Sequence, residues 1–130
     1  MDWFSSMRVS LSGLDASRLR VDTATHNLAN IDNSASSDAT CYAPRRVQVD
    51  EAGEMAGVNS QVFTPNLPPR LEYMPSHPDA DEAGMVRFPE IDMVSEVTEL
   101  LAARRAYEIG LATLNEGRHL FNKTLEIGRE

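Results

Sequence analysis

The sequence predicts a mainly α fold with a small β insertion. Long N- and C-terminal helices pair as a coiled-coil-like hairpin, and a loop-rich β element lies between them. Three observations predict this. Apolar residues recur at alternating three- and four-residue steps over 3–30, they do so again over 90–128, and all seven prolines fall between Pro44 and Pro89. A three–four alternation places apolar side chains along one side of a helix. Proline lacks a backbone N–H and clashes with the preceding turn, so its density forbids a long helix in the middle. The chain therefore reads as one structural unit in three parts: residues 1–32 as the first helix, 33–89 as the loop-rich middle with short strands, and 90–130 as the long second helix.

In the first part, Phe4, Met7, Leu11, Leu14, Arg18, Val21, Thr25 and Leu28 hold the alternation, and six of these eight are apolar. Gly13 weakens the helix by up to about 1 kcal/mol relative to alanine. The stretch "NIDNSASSD" (30–38) ends it with residues that bond to their own backbone and favour turns. In the middle, "RRVQVDE" (45–51) and "RLEYM" (70–74) alternate, and "SQVFT" (60–64) is β-prone. "AGEMAGVN" (52–59) supplies turn glycines between the first two. In the last part, Met93, Val97, Leu100, Arg104, Tyr107, Leu111, Leu114, Arg118, Phe121 and Leu125 continue the pattern, eight of ten being apolar. The mean step is close to 3.5 residues, the period of a coiled-coil seam. A continuous helix of this length spans roughly 50 Å. Pairing the two stripes leaves other faces uncovered, and Ala102, Ala103, Ala106 and Ile109 are expected on the outward ones. A subunit of this shape requires neighbours.

Composition excludes several functions. A length of 130 residues suits one domain, and a net charge of −8 with pI near 4.8 opposes nucleic-acid binding, which needs a basic face. Cys41 stands alone, so neither an intramolecular disulfide nor a thiolate metal cage forms. No run of about 18 apolar residues crosses a membrane, and the opening "MDWFSSMRVSLSGLD" has no secretory-signal pattern. His26, His77 and His119 show no ligand spacing, although His26 and His119 could meet across the helical hairpin. Cys41 lacks an activating neighbour, no serine sits in a nucleophile elbow and no glycine-rich phosphate loop exists. No catalytic, cofactor-binding or metal-binding residue is expected, nor a small-molecule substrate.

The segment "HPDADEAGMVRFPE" (77–90) is the best metal candidate. Counted from Asp79, Asp81 falls at position three, Gly84 at six and Glu90 at twelve of a calcium loop. Ala83 and Arg87 occupy positions that should supply oxygen ligands, and Pro75 and Pro78 exclude the entering helix. The expected structure is a tight Asx-type turn built by Asp79, Asp81 and Gly84, followed by an extended "MVRFP". The alternative is a calcium-responsive regulatory module using residues 79–90. Arginines 18, 104 and 118 interrupt the apolar stripes. Their stems can pack while their heads reach water, or they can pair with a carboxylate of a neighbouring helix, for which Glu96, Glu99, Glu108 and Glu116 are available.

Three segments resemble the bacterial flagellar axial proteins, which build rod and hook. "LSGLDASRLRVDTATHNLANID" (11–32) is similar to their N-terminal helix signature, with its core at Asn27, Leu28, Ala29 and Asn30. "AARRAYEIGLATLN" (102–115) is similar to the matching C-terminal helix, with its core at Arg105, Ala106, Tyr107 and Glu108. "HPDADEAGMVRFPEIDMVSEVTEL" (77–100) looks like the stretch that marks the proximal-rod branch of the family. His26 stands where an asparagine is common, and "CYAPRRV" (41–47) matches loosely.

The resemblance implies a structural, non-enzymatic subunit of the basal-body rod, polymerising helically into a torque-transmitting shaft that crosses the periplasm. Its implied partners are copies of itself, other rod proteins, and rod-base and MS-ring components. It also implies export through the flagellar type III apparatus without a cleaved signal. The expected assembly interface is the stripe of Leu11, Leu14, Val21, Leu28, Val97, Leu100, Tyr107, Leu111, Leu114 and Phe121.

Overall fold

The computed structural model describes residues 2–54 and 56–129; Met55, inside the predicted 52–59 turn, lies outside the described residues. Helix α1 (Trp3–Ala29) starts at Asp2, whose carboxylate accepts from the Ser5 amide at 2.7 Å, and ends at Asn30. Helix α2 (Met93–Ile127) starts at Asp92, which accepts from the Ser95 amide at 3.0 Å. Each cap satisfies an amide that the first turn leaves unpaired. At 1.5 Å per residue the helices run about 40 and 52 Å. They pack antiparallel: Trp3 stacks on Phe121 with ring centroids 4.1 Å apart, while Asn27 bonds Glu96 at the other end.

Between them lie two antiparallel hairpins. Strand β1 (Arg46–Glu51) pairs with β2 (Val58–Phe63), with Arg46 opposite Phe63 and Glu51 opposite Val58. Strand β3 (Arg70–Tyr73) pairs with β4 (Met85–Phe88), with Arg70 opposite Phe88 and Tyr73 opposite Met85. The predicted strand positions are close to these; β2 begins earlier because Gly57, at φ +89°, lets the chain reverse before Val58.

The first hairpin lies along α1, on a different face from α2, so α1 is the central element. Its tip is held where Ser12 Oγ accepts from the Val58 amide at 3.1 Å, and its base where Asn27 bonds Arg45. Ser12 and Asn27 are 15 residues apart, about 22 Å along a helix, close to the roughly 20 Å of a six-residue strand. Ala16 and Thr23, off the predicted stripe, are buried here. The second hairpin is fastened to the segment after α1. Ala35 bridges to Arg87, and the Arg87 guanidinium donates to the carbonyls of Ser36 and Ala39. Buried Val86, Phe88 and Ile91 then lead the chain into α2.

Two expectations are corrected. Ala103 and Ala106, expected on outward faces, turn toward α1, Ala103 fully buried and Ala106 half-buried. His26 and His119 do not meet, because antiparallel packing puts one near the Asn27 end and the other near the Trp3 end.

Candidate assembly interface

The helical hairpin closes along small residues. Ser6, Ser10, Gly13, Ser17 and Ala24 of α1 face α2, and Ala103, Ala106, Gly110, Thr113 and Gly117 face back. Most of these positions lie one residue before a member of the predicted stripe: 10, 17 and 24 precede Leu11, Arg18 and Thr25, and 103, 110 and 117 precede Arg104, Leu111 and Arg118. Close approach explains the choice at Gly110, where a Cβ would sit 2.9 Å from Cδ2 of the buried Leu14 and that side chain would have to move; Gly13 and Gly117 border open space.

The large apolar residues consequently lie on the flanks. Of the ten predicted interface residues, Leu14 is buried, and Val21, Leu28, Leu100, Tyr107, Leu114 and Phe121 are half-buried beside the seam. Leu11, Val97 and Leu111 are exposed by 45%, 39% and 41%. Val21 and Tyr107 line one groove with Arg18 and Arg104, which places the two stripes on a common flank. Phe4, Leu101, Ile109, Leu120 and Leu125 are also more than half exposed. Arg104 pairs with Glu108 on its own helix at 3.1 Å, and Arg18 and Arg118 form no ion pair among the described residues. The family-motif residues divide similarly: Ala106 and Tyr107 face the seam region, while Ala29, Arg105 and Glu108 are exposed.

The motif residue Asn27 has a different role. It is fully buried and uses its entire hydrogen-bonding capacity. Its Nδ2 donates to the Arg45 carbonyl at 2.8 Å and to Glu96 Oε2 at 3.2 Å, while its Oδ1 accepts from the Arg45 amide and the Tyr42 hydroxyl, each at 2.9 Å. Glu96, 4% exposed, also takes the Arg46 guanidinium on Oε1. Burial holds the Tyr42 phenol above its usual pKa, partly countered by nearby Arg45. One turn along, Arg20 meets Glu99 with both ends of its fork, at 2.6 and 3.1 Å, and this hydrogen bond raises its pKa. The ion pairs joining the helical hairpin to itself and to β1 are therefore Arg20–Glu99 and Arg46–Glu96. Sequence reasoning missed this joint; the signals were an asparagine and, seven residues before Ala103, a glutamate within the seam phase of an otherwise apolar or small pattern.

The acidic loop forms the expected turn around Asp81 and Gly84, but Asp79, also expected to build it, takes no part through its carboxylate. Asp81 Oδ1 accepts from the amides of Ala83 and Met85 at 2.9 Å, and Gly84 follows at φ +77°. Asp79 is taken by the Ser34 hydroxyl at 2.5 Å. These carboxylates are committed to their own backbone and to Ser34, and no group of three potential metal ligands converges among the described residues. Among the described residues no helix is long and apolar enough to cross a membrane.

No protein-family model matches the chain. It is similar along nearly its whole length to proteins named flagellar basal-body rod protein FlgC. It is 37% identical over 134 residues to the one from Aquifex aeolicus, which covers 97% of each chain. The Salmonella typhimurium protein is 35% identical over 123 residues, covering 91% of this chain and 92% of the relative. The Bacillus subtilis protein is 29% identical over 150 residues, covering 99% and 100%.

Proposed function

The chain belongs to the family of the flagellar basal-body rod protein FlgC, and from that membership we propose that it is a structural subunit of the proximal rod. In this reading it polymerises helically with copies of itself and with other rod proteins, above the rod-base and MS-ring components, into a shaft that carries torque. Export through the flagellar type III apparatus would deliver it there. Of the predicted stripe, Leu14 is already buried within the hairpin, and Leu11, Val21, Leu28, Val97, Leu100, Tyr107, Leu111, Leu114 and Phe121 supply the inter-subunit contacts.

One observation carries the reading most strongly. The chain exposes 9094 Å² of accessible surface, whereas a compact monomer of 14.4 kDa exposes about 6,800 Å². The surplus, about 2,300 Å², has the scale of an obligate interface, and it includes the leucines on the flanks of the hairpin. Head-to-tail contacts that do not close generate a helix of subunits. Stiffness follows from long packed helices braced by a hairpin pinned at both ends.

The test is an in-frame deletion in the bacterium that carries the gene, complemented with the intact chain. Swimming and complete basal bodies should vanish on deletion and return on complementation. Basal bodies with an intact proximal rod in the deletion strain would refute the assignment.

A further inference from the structure

We propose that Glu96 is the register lock of the helical hairpin. The seam by itself discriminates poorly between registers. Ser10, Ser17 and Ala24 repeat at seven-residue intervals on α1, and Ala103, Gly110 and Gly117 do so on α2. A slip of seven residues thus exchanges one small residue for another and keeps the helices at the same separation. The Trp3–Phe121 stack and the Arg20–Glu99 pair also favour one register, but both lie half-exposed on the flanks and are worth less than a buried contact.

Buried polar groups behave differently, because leaving them unpaired is costly. Ser17 satisfies its hydroxyl on the Gly13 carbonyl of its own helix, so the buried polar groups that join α1 to α2 are Asn27 and Glu96, at one place on the seam. Asn27 fastens the backbone of Arg45 to α1 through bonds at 2.8 and 2.9 Å, and Tyr42 adds a third. This makes a preformed receptor belonging to α1 and the start of β1. Its two remaining donors, Asn27 Nδ2 and the Arg46 guanidinium, both point at the Glu96 carboxylate of α2. Glu96 is 4% exposed, so a slipped register strands its charge away from both donors. Single buried polar residues set register in coiled coils by the same mechanism. The correct register matters because it decides which flank residues of α1 stand beside which of α2. The lock acts in the isolated chain, so it stands or falls independently of the rod assignment.

The test is disulfide trapping in the full-length chain carrying Cys41→Ser. Ser10→Cys with Thr113→Cys reports the observed register, since both residues line the same grooves. Ser17→Cys with Thr113→Cys reports a seven-residue slip. With Glu96 intact, the first pair should oxidise about a hundredfold faster than the second. Glu96→Leu keeps helix propensity and should bring the two rates within about tenfold. Glu96→Gln, which still offers an oxygen to Asn27 or Arg46, should keep most of the preference. Persistence of the full preference in Glu96→Leu would overturn the proposal. If Glu96→Leu loses its helicity, Arg46→Leu replaces it; Arg46 is partly exposed, and a narrowed rate ratio is again required.

Discussion

Replacing Leu111 by aspartate separates the interior of the hairpin from its outer contacts. Leu111 is 41% exposed in the single chain. Full burial of a leucine side chain contributes about 1.5–3 kcal/mol, so covering the remaining portion against a neighbour adds about 1 kcal/mol. A carboxylate left unpaired in that contact costs about 3–5 kcal/mol. Together they weaken each inter-subunit contact by about 4–6 kcal/mol, a thousandfold or more. Within the isolated chain the loss is about 2 kcal/mol, from lower helix propensity and the already buried part of the side chain. Leu111→Ala is the control: it costs the single chain a similar amount but the contact only about 1 kcal/mol. The assays are swimming halos and basal-body images of complemented cells, with circular dichroism of both purified variants. Leu111→Asp should abolish swimming, and Leu111→Ala should retain much of it. Normal motility in Leu111→Asp would remove Leu111 from the interface. Equal loss in both variants would show that it serves the hairpin itself.

Gly57→Ala places a Cβ 2.1 Å from Ser12 Oγ at a residue held at φ +89°. The strain and clash together cost about 2–4 kcal/mol and lift the tip of the first hairpin off α1. Hydrogen exchange at the Val58 amide should accelerate while the helices keep their protection; unchanged exchange there would contradict the clamp. The caps give a pH signature. Hydrogen bonds from the Ser95 side chain and then its amide hold the Asp92 carboxyl below its ordinary pKa, and Asp2 is lowered the same way by Ser5. A carboxyl whose folded pKa is depressed contributes stability above its unfolded pKa and loses it as pH falls through the folded value. The melting temperature of the native chain should therefore exceed that of Asp92→Asn at neutral pH, with the gap closing in acid below the usual carboxylate range. A gap independent of pH would show that the charge is irrelevant to the cap. Finally, Asp81→Ala should destabilise the β3–β4 hairpin equally with and without calcium, and calcium alone should leave the melting curve of the native chain unmoved.

Much of this fold was legible because periodicity and proline placement are local signals. The alternation over 3–30 and 90–128 located both helices, and the turn at Asp81 and Gly84 followed from Asx chemistry. The phase of the seam was not legible from apolar counting. Leu11 and Leu111 score as hydrophobic and Ser10 and Gly110 do not, yet the second pair faces the partner helix, Gly110 leaving the room that Leu14 fills. A search for small residues at seven-residue intervals would have found Ser10, Ser17 and Ala24. The joint at Asn27 was illegible for another reason. Its partners Arg45 and Glu96 lie 18 and 69 residues away. No spacing rule announces a bond between a helix, a loop and a second helix.

A seam made of serine, glycine and alanine has a consequence for assembly. Burying small side chains removes little apolar area from water, so the hairpin gains less from its own closure than a leucine seam would give. The small seam also brings the helices close enough for leucines to project along both flanks. The apolar area missing from the interior is thus the area offered outside, and covering it stabilises the hairpin and the assembly together. Charge opposes association at the same time: at −8 per chain, copies repel one another over about 8 Å at physiological salt. Rising salt should weaken that repulsion and strengthen apolar contacts. Association of the purified chain should therefore increase with ionic strength, and an interface held mainly by ion pairs would show the opposite dependence.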